Sequence, residues 1–418
     1  MKQVISLSGL RLPHTSGGMS MLIHDMQVFV FLVLSFVILL LFLRTKNKKN
    51  YRFGKILFVI IFLFILFLPL FQQRFTLFQF NPLVENRYRA PAPRLSIFPA
   101  LFLRKNDYAK KFETYFNDAF GFRDILIKLK NQIDYTFFRY SSEILIGKDN
   151  WLFYKSVSEV AEVKLNKSDN KTFALTINHM LYVNSRLNQK GILFVVLPIP
   201  DKSTVYPENN TGTTIIAPST SRFYTFMQML KSHPEIKVVD ALAILLSEKK
   251  NYTLFHKTDM HWNDVGASYV SQHIISQLAE YTKTPLNWFY PLSVHYYENF
   301  TGGQLSALAL IFPTLESKLT TQGKKEFASE SLPTPKRFDY HFVSSLGSSR
   351  SLLPKTVIIG NSFTENFMDT GLVDHFSELY VLRSCNAEHM RECIPEGTKI
   401  VIWQLIEESL ADEIKVQL

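Results

Sequence analysis

Thr356-Val357-Ile358-Ile359-Gly360-Asn361-Ser362-Phe363 is an apolar run that stops on a glycine and passes into a Ser-Phe-Thr segment. Such a run reads as a buried strand, and the segment after it as a strand-to-helix turn with Ser362 at its apex. A serine there can project its hydroxyl into a crevice while N–H groups of the turn face the same space. About a hundred residues earlier stands Lys257-Thr258-Asp259-Met260-His261-Trp262-Asn263. Asp259 and His261 are at i and i+2, so in an extended segment both side chains leave one face and the carboxylate reaches the imidazole Nδ1–H. That tautomer leaves Nε2 to accept the proton of Ser362. An Asp-x-His pair alone is commonly a plain hydrogen-bonded pair, and Gly-x-Ser-Phe an ordinary turn. Their joint position at the ends of apolar α/β units is what points to a site, because ligands of open parallel sheets bind there.

Outward from these motifs the chain alternates helix and strand. A helix to Gln189 precedes strand Ile192–Leu197, and helix Ser221–Lys231 precedes strand Ile236–Val239. Helices follow over Ala241–Leu246 and Asp264–Tyr281. Later come Thr356–Ile359, a helix, Leu379–Leu382, Lys399–Gln404 and a last helix. This predicts an α/β fold with a mainly parallel sheet and helices on both faces. Residues 283–354, with Gly302-Gly303, Pro313, Pro333 and Pro335, are less regular and read as an insertion beside the site or a disordered surface loop. Tyr108, Phe112, Tyr115 and Phe116 recur at helical spacing and read as a core face, as does the pattern continuing through Ile125–Phe138.

The N-terminal part has another character. Val28–Leu43 is apolar apart from Ser35, and Ile56–Phe71 apart from Pro69, so two transmembrane helices are expected. Arg44, Lys46, Lys48, Lys49, Arg52 and Lys55 lie between them with no acidic residue, which places that loop in the cytoplasm. A cleaved signal peptide is an alternative for the first run, and Met19, Met21 or Met26 could serve as the start. The expected organisation is an N-terminal segment over 1–26, two spans with a basic loop over 27–73, an extended connector over 74–105 containing Ala90-Pro91-Ala92-Pro93, and an extracytoplasmic domain over 106–418. The net charge of +10 is concentrated in residues 1–78, which hold nine basic residues and one acidic. The rest is nearly neutral, which argues against nucleic-acid binding.

Near the motifs, Trp262 can shield the triad or offer a sugar-stacking face, packing being its commoner use. Asn361 and Asn366 can donate to an oxyanion, though asparagine more often builds turns. Lys202, at the end of the first sheet strand, can meet an acidic substrate, though most lysines are solvated. Cys385 and Cys393 can form a disulfide outside the cytoplasm. With only His389 between them they do not make a zinc set, so no metal is expected.

At these residues the chain resembles the SGNH-hydrolase-like domain of the alginate O-acetylation proteins AlgJ and AlgX and their relatives, over roughly residues 85–418. The likeness rests on Asp259-x-His261-Trp262 and Gly360-x-Ser362-Phe363, in circularly permuted order relative to ordinary SGNH esterases. It extends to Phe116–Asp124, Ile146–Tyr154 and Leu197–Lys202. It implies a flavodoxin-like SGNH fold, Ser362 as nucleophile with His261 and Asp259, Gly303 as a backbone donor to the oxyanion or substrate, and no cofactor. It further implies O-acetylation of an exported or cell-surface polysaccharide at the bacterial inner membrane, on the periplasmic side. A separate multispanning acyltransferase of the MBOAT type would supply the acetyl group. Asn361 replaces the usual aspartate, Gly303-Gln304-Leu305 replaces Gly-Asp-Leu, and Glu407-Glu408-Ser409-Leu410 replaces Glu-Arg-x-Leu. An acetyl esterase, or an inert polysaccharide-binding or assembly subunit, are the alternatives.

Overall fold

The computed structural model describes residues 51–80, 82–83, 87–93, 106–156, 167–211, 221–321, 329–331, 338–344, 351–383, 385 and 387–411. Its contacts divide the chain into two units, residues 1–139 with 309–313, and residues 140–308 with 314–418.

The first unit contains α1 (Tyr51–Phe75), α2 (Asn106–Ala119) and α3 (Arg123–Phe138). Within α1, Ile56–Phe75 is long and apolar enough to cross a membrane and is almost wholly unburied. The other expected span, Val28–Leu43, lies outside the described residues. Leu68, Phe122, Ile125 and Ile311 form a small core, with Phe78 and Phe80 against it. Gly121 is where α2 turns into α3, and a Cβ there would fall 2.3 Å from the carbonyl oxygen of Pro69, so only glycine allows this approach. The connector corrects an expectation. Its described residues are not loose, because Arg87 grips both oxygens of Asp118 at 2.8 and 2.6 Å and Arg89 grips both of Asp124 at 2.8 Å. The aromatic face of α2 corrects another: Phe112 and Phe116 are exposed rather than core.

The second unit begins with β1 (Ile144–Ile146) and β2 (Leu152–Tyr154), an antiparallel hairpin. Then come α4 (Lys167–Asn188), β3 (Leu193–Ile199), the single turn α5 (Lys202–Val205), α6 (Arg222–Lys231), β4 (Lys237–Val238), α7 (Ala241–Glu248) and α8 (Asp264–Thr282). Short polar residues start the longer helices. Ser221, Asp240 and Asn263 each accept a backbone N–H from the first turn of α6, α7 and α8. The region expected to be an insertion or a loose loop supplies β5 (Val294–Phe300), α9 (Gly303–Leu308), β6 (Glu316–Thr321), β7 (Ser329–Ser331) and β8 (Tyr340–Ser344). The chain continues with β9 (Thr356–Ile359), α10 (Glu365–Asp369), β10 (Glu378–Leu382) and β11 (Ile400–Ile406). The expected last helix is a 3-10 turn over Glu407–Ala411 where it is described.

Seven strands form the main sheet in the order β4-β3-β11-β9-β10-β8-β7. The first five are mutually parallel, while β8 and β7 add an antiparallel edge. Every residue of β9, and all but one of β3 and of β11, is buried. Since successive side chains point to opposite faces, both faces of the sheet are covered. Val, Ile, Leu and Phe fill the core between sheet and helices. Register pairs Ile406 with Ile199 and Trp403 with Ile359, so β3, β11 and β9 deliver their following loops to one edge. That edge receives Lys202, Glu407 and Ser362 together, at the point where strand order reverses.

Candidate active site

Ser362 follows Gly360 and Asn361 at the carboxyl end of β9 and heads a 3-10 turn that passes into α10. Asn361 caps this turn. Its Oδ1 accepts the N–H of Phe363 at 3.0 Å and the Gln404 amide at 3.4 Å, bonds that build the turn. A Cβ on Gly360 would lie 2.2 Å from Gln404 Oε1 and 2.7 Å from the Thr364 methyl, so a larger residue at the strand exit would displace both side chains. The hydroxyl of Ser362 is exposed, and His261 Nε2 lies 2.7 Å from its Oγ.

Residues 257–261 form a bend between bridge partners Phe255 and Trp262, not the extended segment expected. Asp259 and His261 still meet, by a different route. Asp259 Oδ1 accepts the backbone N–H of His261 at 3.0 Å and lies 2.6 Å from its Nδ1, so an Asx turn aims the ring. The Gly303 N–H donates to Asp259 Oδ2 at 2.6 Å. Burial opposes the Asp259 charge, but the bonds from the His261 ring and from the Gly303 and His261 N–H groups outweigh it and hold the carboxyl well below the usual range. Gly303 is therefore a donor to the orienting carboxylate, which corrects its expected place among substrate or oxyanion contacts.

Trp262 is fully buried. Its Nε1 donates to the carbonyl of Phe363 at 3.1 Å and its ring meets Phe363 and Phe367 at 5.4 and 5.3 Å. It ties the histidine loop to the serine turn and offers no face to a sugar. Asn263, next along, accepts the N–H groups of Val265 and Gly266 and donates to Thr253 O at 2.6 Å, so the loop ends directly on the N-terminus of α8. Asn366 donates to Asp264 at 2.8 Å.

Lys202 is not solvated. It is 4% exposed, and its ammonium donates to the carbonyl oxygens of His256, Lys257 and Asp259 at 3.1, 3.1 and 2.6 Å and to Gln304 Oε1 at 2.7 Å. Burial pulls its pKa down to about 7, against the charges of Asp259 and Glu316. Gln304 thus has a defined partner, and it sits beside the Gly303 that holds Asp259.

Glu316 on β6 gave no sequence signal. Its carboxylate accepts the N–H groups of Lys257 and Thr258, both at 2.8 Å, and the Thr258 hydroxyl at 2.5 Å. Thr258 Oγ1 in turn accepts the Gly302 N–H at 3.1 Å. A Cβ on Gly302 would stand 2.3 Å from Thr258 O, so the Gly302-Gly303 pair was the visible trace of this close approach. At the same edge Glu407 is buried and accepts the Asp201 N–H and the Thr204 hydroxyl, both at 2.9 Å, while burial pushes its pKa up to about 7. Cys385 and Cys393 are joined as a disulfide.

A family model described as the SGNH hydrolase-like domain of the acetyltransferase AlgX matches residues 144–370. The "Probable alginate O-acetylase AlgJ" of Pseudomonas aeruginosa is 30% identical over 173 residues, 41% of this chain and 42% of that relative, so the match spans well under half its length. Among solved structures, the O-acetyltransferase domain of Pseudomonas putida AlgJ is similar at 17% identity and a TM-score of 0.43, covering 66% of this chain and 94% of that one. Bacillus cereus PatB1 is similar at 14% identity and a TM-score of 0.48, covering 66% and 99%.

Proposed function

The chain belongs to the family of SGNH hydrolase-like AlgX acetyltransferase domains, and from that premise we propose that it is a membrane-anchored O-acyltransferase that acetylates an exported or cell-surface polysaccharide through Ser362, His261 and Asp259. The observation that carries this reading is the unbroken chain from Asp259 Oδ1 to His261 Nδ1 at 2.6 Å and from His261 Nε2 to Ser362 Oγ at 2.7 Å. His261 takes the Ser362 proton as Oγ attacks the acetyl carbonyl of the donor. A tetrahedral oxyanion forms against N–H groups of the serine turn. Its collapse expels the donor's leaving group, which His261 protonates, and leaves acetyl-Ser362. A sugar hydroxyl, deprotonated by His261, then attacks the ester, the Ser362 Oγ–acyl bond breaks, Oγ takes the proton back from His261, and the sugar leaves acetylated.

Asp259 serves by holding the tautomer and stabilising the imidazolium. The departures at Asn361 and Gln304 favour activity over an inert subunit, since Asn361 caps the serine turn and Gln304 engages Lys202, leaving the triad contacts complete. The anchor is α1, the six-cation loop lies in the cytoplasm, and the domain after α1 lies outside, at a bacterial inner membrane. The acetyl donor is supplied across that membrane by a multispanning MBOAT-type acyltransferase.

The test is to incubate the full chain in detergent with an activated acetyl ester and map the adduct by peptide mass analysis. Acetate on Ser362, absent from Ser362→Ala and His261→Ala, is expected, with turnover reduced on the order of 10³-fold or more in each. Full turnover by Ser362→Ala would overturn the assignment. Polysaccharide acetylation that falls when the gene is deleted supports a transferase, and acetylation that rises supports an esterase.

A further inference from the structure

Two apolar stripes of the first unit face outward. On α2, Phe112 and Phe116 are 48% and 42% exposed and stack in line with Tyr108, at centroid spacings of 6.4 and 6.3 Å. On α3, Leu126, Ile133 and Phe137 are 47%, 42% and 76% exposed. Positions 108, 112 and 116 fall on one side of a helix, as do 126, 133 and 137 with Lys130 beside them paired to Asp134, while Lys110, Glu113 and Lys128 occupy other sides. Scattered exposed apolar residues need no explanation, but stripes at helical spacing do. Removing such side chains from water is favourable, so both stripes call for an apolar cover.

The attachment of these helices to α1 identifies that cover. Their turn, Gly121-Phe122, is seated on Leu68, Pro69, Gln72 and Gln73, and Gln73 also donates to Tyr115 at 3.2 Å. These α1 residues bracket Phe71, the last residue of the apolar run, with Leu68 three residues before it and Gln73 two after. At about 1.5 Å per residue they lie within roughly 5 Å of the level at which the span leaves the hydrocarbon. Amphipathic helices lie at just that depth, with the apolar face among acyl chains and the charged face toward the headgroups. Gln72, at the same level, has its amide spent on the Phe78 backbone at 2.6 and 2.8 Å, so this depth holds no stray polar group from that side chain.

We propose that α2 and α3 form an interfacial hairpin whose Phe112/Phe116 and Leu126/Ile133/Phe137 stripes lie in the outer lipid surface beside α1. This rests on the reading of α1 as a membrane span and is independent of the acyl-transfer chemistry. The partner is lipid, and no second protein is needed to cover the stripes.

The experiment places an environment-sensitive NBD fluorophore on single introduced cysteines in the full chain, one chain per nanodisc of phosphatidylcholine and phosphatidylglycerol. The native cysteines are held in their disulfide and stay unlabelled. Phe62→Cys in α1 is the lipid reference and Glu113→Cys on α2 the aqueous one. At Phe116→Cys and Phe137→Cys, emission should be blue-shifted and quenched by doxyl-labelled lipid to at least half the extent seen at Phe62→Cys, and iodide should quench weakly. Strong iodide quenching at either position, with Phe62→Cys in lipid, overturns the hairpin proposal alone. Iodide quenching at Phe62→Cys overturns the anchor itself and the proposal with it. Shielding at Phe116→Cys and Phe137→Cys that appears only when another membrane protein is co-reconstituted also overturns it, and assigns the stripes to that protein.

Discussion

The backbone N–H of Gly303 donates to Asp259 Oδ2 at 2.6 Å, while the other oxygen of the same carboxylate faces the His261 ring. The orienting acid is thus held on both sides, by a turn of its own loop and by the first residue of α9. Removing the Gly303 donor without removing its backbone tests how much that grip contributes. Gly303→Pro keeps a residue suited to a helix start but lacks the N–H. A hydrogen bond to a charged group contributes about 1.5–3 kcal/mol, so turnover of a small acetyl ester should fall roughly 10- to 100-fold, with Michaelis constant little changed. Steady-state kinetics of the variant check it.

Lys202 should behave as a positioning residue. Lys202→Met leaves three loop carbonyls and Gln304 without their common donor, and both stability and turnover should fall, turnover by about 100-fold if Asp259 shifts by an ångström or so. Lys202→Arg, whose planar fork does not match that cage, should recover little. Thermal melts and kinetics on the same samples separate the two losses.

Acid should weaken the fold through buried histidines. Burial lowers both His375 and His256 to about 4. His375 lies between Trp288 and Phe289 at 4.4 and 4.1 Å, and its Nε2 accepts the Phe289 N–H at 3.0 Å, which an imidazolium cannot do. The unfolded chain then binds more protons, so stability is full above about 6.5 and declines as pH falls toward about 4. Buried Glu407, raised to about 7, contributes the opposite slope over this range, so the histidine effect is read as a difference: from pH 7.5 to 4.5 the melting temperature of the parent chain should lose ground relative to that of His375→Asn.

The Cys385–Cys393 bond predicts that unreduced, denatured protein takes up no alkylating reagent and that reduction exposes two thiols to it. Reduction should also lower stability by about 2 kcal/mol, as expected for a short closed loop. Intact-mass analysis and chemical denaturation read the two outcomes.

Alkaline phosphatase fused after Gly147 should be active, and fused within residues 44–55 inactive. The reverse pattern would place the domain in the cytoplasm and remove the case for exported substrates.

Much of this could be read along the chain, for identifiable reasons. Val, Ile and Leu runs marked β3, β9 and β11, with Gly360 closing β9, because buried parallel strands have no polar face to disguise them. Asp259, His261 and Ser362 were visible as residue types at strand ends. Lys202 was misread because a lysine at a strand end is usually solvated, and nothing local announces that carbonyl groups more than fifty residues away will surround it. The α2 stripe was misread differently. Helical periodicity shows that a face is apolar but not what covers it, and a protein core and a lipid surface leave the same pattern.

The sequence by itself determined the five parallel strands, most of their helices and the three residues of the proposed triad, since those arise from local periodicity and side-chain chemistry. Tertiary structure alone decided that Gly303, Lys202 and Glu316 hold the Asp259 loop, because hydrogen bonds spanning 44 to 58 residues depend on where the fold places backbone donors and acceptors, which every residue type carries alike.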